Sequence, residues 1–143
     1  MFIQLLIGSM LTLATILVAA LSWWALEALL VRLHRWSARP PHGAKLVAVL
    51  VMALIWTLGM MTVAIWLWAE AFYLLHIFAS FEESVYFALV SFTTLGFGDI
   101  LLPVEWRLLS GIAAANGLLL FGLLTAILVE TIRETRSRQR DNG

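Results

Sequence analysis

The 143-residue chain is 62% hydrophobic and 13% charged, and its nine Lys and Arg balance nine Asp and Glu. A water-soluble fold of this size has too little polar surface to cover so much apolar content, which leaves bilayer lipid as the solvent. A net charge of zero gives no general attraction to nucleic acid, and the absence of cysteine excludes disulfide frameworks and thiolate chemistry.

Three apolar runs are long enough to cross about 30 Å of hydrocarbon as helices: Ile3 to Leu26, Leu46 to Trp68 and Leu108 to Val129. The first has no basic segment before it and exceeds a signal-peptide core, so it reads as a mature helix within an additional N-terminal segment, 1–36. Its role is open among a lipid-facing ring, an assembly element and a partner contact. Arg39-Pro40-Pro41-His42-Gly43 then stops the helix and reverses the chain in a turn, 37–45.

Arg32, Arg35, Arg39 and Lys45 flank that turn, and Arg133, Arg136, Arg138 and Arg140 follow the third run. The positive-inside rule makes both clusters cytoplasmic and places the N-terminus and the segment from Ala69 to Glu105 outside. The expected location is the plasma membrane, the inner membrane of the cell. Trp23 and Trp24 at the inner edge, and Trp66, Trp68 and Trp106 at the outer one, fit interfacial belts, with packing between helices as the other reading for each.

Between the second and third runs, Phe81 to Phe92 reads as an apolar helix of about 18 Å, too short to span. Ser80-Phe81-Glu82-Glu83 is a capping-box start with acidic residues at the positive end of the dipole. Such a half-helix at membrane depth is tolerated only where it is buried in protein or lines a water-filled cavity, which makes it re-entrant.

The chain continues Ser91-Phe92-Thr93-Thr94-Leu95-Gly96-Phe97-Gly98-Asp99. Replacing the water shell of a potassium ion requires stacked rings of oxygens, which successive backbone carbonyls from four chains supply. Turning those carbonyls to one side requires positive φ at alternate residues, where glycine fits, and Gly96 and Gly98 alternate. This stretch resembles the potassium-channel pore family, whose filter is commonly written T-V-G-Y-G-D, with Leu95 for Val and Phe97 for Tyr.

The resemblance runs over 46–132 in the family's order: outer helix 46–77, pore helix 81–92, filter 94–98, inner helix 105–132. A basic tail, 133–143, follows. It implies an all-α membrane protein of three transmembrane helices plus a re-entrant pore helix and filter loop, assembled as a four-fold homotetramer. It implies potassium at Thr94, Leu95, Gly96 and Phe97, Gly98 closing the filter, Asp99 at the outer mouth, and Thr93 and Val90 supporting the filter from behind.

Val90 stands where the family often has Glu, and Phe97 lacks the Tyr hydroxyl, so two usual supports are missing. Gly117 matches the inner-helix hinge glycine, with close helix packing as the equal alternative. Asn116, polar near mid-membrane, faces the cavity or a neighbouring helix and is the cavity candidate.

The function expected is passive, potassium-selective conduction, with no cofactor beyond the transported ion. The alternatives are a non-selective cation channel of the same fold and a non-conducting, regulatory or transporter-associated subunit. No enzyme is expected, since no nucleophile and base pair appears and His34, His42 and His76 stand apart.

Overall fold

The computed structural model describes residues 1–37 and 42–141, and every regular element among them is helical. The helices are α1 (Phe2–Ser37), α2 (His42–Leu74), α3 (Phe81–Phe92) and α4 (Arg107–Asp141), with a 3-10 turn at Val104–Trp106 leading into α4. Membrane-length apolar stretches occupy Phe2–Leu29, Val47–Leu74 and Val104–Arg133.

The helix ends differ from the expected boundaries. α2 begins at His42, inside the segment expected to turn, while Arg39, Pro40 and Pro41 lie outside the described residues. A proline ahead of a helix removes no hydrogen bond, because the first amides of a helix have no intrahelical partner. α4 runs nine residues beyond the expected end at 132, to Asp141. Thr131 to Asp141 carries four Arg, one Glu and one Gln, all good helix formers, and has neither Gly nor Pro, so nothing in it breaks the helix.

The outer helix was expected to run to Ile77; α2 stops at Leu74 and Leu75 to Ile77 cap it. The Ile77 amide donates to Phe72 O at 3.1 Å and the His76 amide to Tyr73 O at 2.9 Å, with His76 at φ 54. This is a Schellman cap with a histidine where glycine is usual. His76→Gly is therefore expected to stabilise the protein by about 1 kcal/mol by relieving the left-handed strain. A raised midpoint in detergent thermal melts checks it, and a lowered one rejects it.

α1 belongs to the fold. Gln4, Thr15 and Ser22 are buried, and spacings of 11 and 7 residues place them within about 20° of one another at about 100° per residue. Among the described residues these three are the buried polar side chains of α1, and they mark its inner face. The Gln4 side chain donates to Glu105 O and accepts from the Leu108 amide, which caps the start of α4. Gly8 lies against Ile112, Thr15 against Asn116, and Ile16 and Trp23 across a groove from Leu123 and Glu130. The rising numbers on both sides show that α1 and α4 run parallel. Ser22 accepts from Trp56 Nε1 of α2 at 2.7 Å.

α1 thus packs one narrow stripe against α4 and α2 of its own subunit. Most of its apolar side chains, Phe2, Leu6, Leu13, Leu17 and Trp24 among them, are exposed, which leaves all three roles of the first span open. Hydrogen bonds between helices are favourable in lipid, where no water competes for them.

Behind α3 lies an aromatic cluster. Phe72 meets Phe87 and Phe78 edge-on at 5.4 and 6.3 Å, and Trp68 meets Phe92 at 6.0 Å. Trp68 is fully buried, so it is a core residue and not part of an outer belt. Trp66, on the other side of α2, is exposed and touches Phe81.

Candidate ion-conducting site

The site is built on the two ends of α3. At its start the Ser80 hydroxyl accepts from the Glu83 amide at 3.1 Å, with Glu82 and Glu83 in the first turn. At its end the helix closes in a second Schellman cap. The Leu95 amide donates to Val90 O at 3.1 Å and the Thr94 amide to Ser91 O at 3.0 Å, while the Thr93 hydroxyl donates to Leu89 O at 2.8 Å. Thr94 occupies the left-handed position of that cap at φ 57.

From there the chain alternates. Positive φ recurs at Thr94, Gly96 (φ 54) and Gly98 (φ 77), with Leu95 and Phe97 between them on the ordinary side. The helix cap thus sets the first member of the alternation and glycine supplies the next two. Thr94 is the position that reasoning from glycine alone passes over. A threonine holds it because two amide hydrogen bonds fix the turn around it.

Gly96, Phe97 and Gly98 make no hydrogen bond among the described residues. Within one chain the Leu95 and Phe97 side chains are 59% and 67% exposed. The ribbon is open on the sides its own subunit does not cover.

A family model described as ion channel matches residues 46–134. The chain belongs to that ion-channel family. No curated protein and no solved structure matches it. The match takes in most of α2, all of α3, the ribbon and the apolar part of α4, and α1 lies outside it. With three membrane-length apolar helices, the channel is an integral membrane protein.

One support of the channel's ribbon was not foreseen. The Tyr86 hydroxyl donates to Asp99 Oδ2 at 2.5 Å, tying the middle of α3 to the residue after the ribbon. The available signal was a hydroxyl-bearing aromatic on α3 thirteen residues before the carboxylate. The bond holds the Asp99 carboxyl below its ordinary range, because the ionised form accepts it, and raises the Tyr86 phenol, which must keep its proton to donate.

The signs set a pH window. The Asp99 contribution is full above the ordinary carboxylate range and is lost as pH falls through the depressed value. The Tyr86 contribution is full below the ordinary phenol range and is lost as pH rises through the elevated one. Tyr86→Phe is expected to return the Asp99 titration to the ordinary carboxylate range, read from the acid limb of the channel's conductance. An acid limb at the wild-type pH rejects the tie.

For two residues of α4 the contacts are those of the second of the readings open to each, a neighbouring helix for Asn116 and close packing for Gly117. Asn116 is no cavity residue: it lies on the buried face of α4 with Leu109, Ala113 and Leu120, and its amide donates to Thr15. Gly117 lies against the end of α3, where a built Cβ would come within 2.3 Å of Phe92 O and 2.7 Å of Phe92 Cα. Of the two readings of Gly117, close packing is the one with a contact behind it. Val90 is buried and apolar, with its carbonyl engaged in the α3 cap.

Proposed function

We propose that the chain is one subunit of a four-fold homotetramer that conducts potassium passively and selectively through the backbone of Thr94 to Gly98. The observation that carries this reading is the alternation of positive φ at Thr94, Gly96 and Gly98. A ribbon of alternating hand turns its carbonyls to one side. Four such ribbons around an axis make stacked oxygen rings that replace the hydration shell of a dehydrated cation.

The carbonyls of Thr94, Leu95, Gly96 and Phe97, with the Thr94 hydroxyl at the inner end, hold the ions, and Asp99 stands at the outer mouth. The need for neighbours follows from the exposed Leu95 and Phe97 and from the backbone of Gly96 to Gly98, which has no partner among the described residues. Polar backbone at membrane depth is stable only when other groups satisfy it.

The Gln4 end of α1 adjoins Glu105, on the side of the ribbon's outer end, and the basic ends of α1 and α4 lie on the other side. We place that basic side in the cytoplasm and the filter mouth outside.

Flux into liposomes tests the reading. Potassium entry that barium blocks, with no sodium entry, is the expected result. Equal entry of both ions turns the assignment to a non-selective cation channel of the same fold. No entry of either ion turns it to a non-conducting subunit.

A further inference from the structure

Two polar side chains meet midway along the contact between α1 and α4. Thr15 and Asn116 are each 2% exposed, and Asn116 Nδ2 donates to the Thr15 hydroxyl at 2.7 Å. That hydroxyl donates onward to Thr12 O at 2.8 Å, which fixes the direction in which it accepts. The Asn116 Oδ1 is buried and has no partner among the described residues. A half-satisfied amide in an apolar interior is unfavourable beside any apolar side chain of the same size. Adhesion between α1 and α4 alone needs no asparagine here, so the gain from this residue lies in the direction of its one hydrogen bond.

The next residue shows what that direction controls. Gly117 is the point where α4 touches the backbone of Phe92, the last residue of α3. Phe92 is followed at once by the cap residue Thr93 and by Thr94, the first residue of the ribbon. Turning α4 about its axis, so that Asn116 left Thr15, would carry Gly117 off Phe92 and bring a side chain against the end of α3. The hydrogen bond from Asn116 to Thr15 is therefore an angular stop for α4.

We propose that α1 positions the ion filter: Thr15 holds Asn116, and through it the glycine face of α4, at the rotation that seats the end of α3. Neither side chain touches the ion, and both are positioning residues for ion selection. The consequence for selectivity rests on the potassium-filter reading above, whereas the consequence for the order of the ribbon does not.

The test uses the full chain in liposomes with Thr15→Val, Asn116→Leu, their double variant and the conservative Thr15→Ser. Thr15→Val is expected to lower the potassium over sodium permeability ratio by about tenfold, the size of effect one lost hydrogen bond allows. Thr15→Ser should keep the wild-type ratio, and the double variant should fall no further than Asn116→Leu. Hydrogen–deuterium exchange gives a second readout. Exchange over residues 92–98 should quicken in Thr15→Val and not in Thr15→Ser, with the helical parts of α1 and α4 unchanged.

An unchanged ratio together with unchanged exchange at 92–98 overturns the proposal. Exchange that quickens evenly along α1 and α4 also overturns it, because that marks a merely adhesive contact. If the wild-type chain passes sodium as readily as potassium, the potassium-filter reading fails, and exchange at 92–98 decides the positioning role by itself.

Discussion

Gly96→Ala is expected to bring the potassium over sodium permeability ratio close to one, measured from reversal potentials with the two ions on opposite sides of the bilayer. A Cβ built on Gly96 meets nothing within 4 Å, so the penalty is conformational and not steric within the chain. At φ 54 it amounts to about 1–2 kcal/mol for a residue with a side chain. Thr94 bears the same strain at φ 57, but its own amide and the next one are anchored to Ser91 and Val90. Gly96 has no such anchor, and the cheapest relief is a flip of the peptide plane that turns its carbonyl outward. In the proposed tetramer the flip occurs in all four chains and removes one complete ring of oxygens. A variant that keeps the wild-type ratio rejects Thr94 to Gly98 as the filter.

The parts of the molecule legible from residue order are those whose signals are local. Ser80 and Glu83 mark a helix start because an N-cap acts over three residues, and Gly96 and Gly98 mark positive φ because only the backbone is involved. Composition marks three membrane-length helices for the same reason. The place of α1 is different, since an apolar helix surrounded by lipid or by protein has the same composition. The signal that did exist was the spacing of Gln4, Thr15 and Ser22, three polar residues on one face of a helix that has no other use for them in lipid. Asn116 defeated the cavity reading because a polar residue facing water and one facing a hydroxyl are equally polar in sequence. Tyr86 and Asp99 sit on different elements, and only the turn between α3 and the ribbon brings them within 2.5 Å. The helix boundaries slipped where capping, not composition, set the end, as at His76.

Gly117→Ala separates two meanings of a glycine in an inner helix. A hinge acts through backbone freedom, and alanine there would change the open probability while leaving stability and selectivity as they were. The contact at Gly117 points elsewhere, because an added Cβ would lie 2.3 Å from Phe92 O and 2.8 Å from Phe92 C. The obstructing atoms are backbone at a helix end that the aromatic cluster holds from behind, so they have no rotamer to yield. Overpacking of this kind costs about 1–3 kcal/mol per chain. The relief available is a displacement of the end of α3, which carries Thr94 with it. Gly117→Ala is therefore expected to lower the thermal midpoint and to abolish selective flux together. Gly59→Ala, on an open face of α2 where a Cβ meets nothing within 4 Å, should change neither. At Gly8 the added Cβ would come within 2.6 Å of Ile112 Cδ1 and within 3.0 and 3.3 Å of its Cγ2 and Cβ, the stiff base of a β-branched side chain, so Gly8→Ala should also lower the thermal midpoint, there by loosening the seat of α1 on α4. A Gly117→Ala channel with wild-type midpoint and selectivity but altered gating would restore the hinge, and would mean that α3 yields at a point where its backbone has nowhere evident to go.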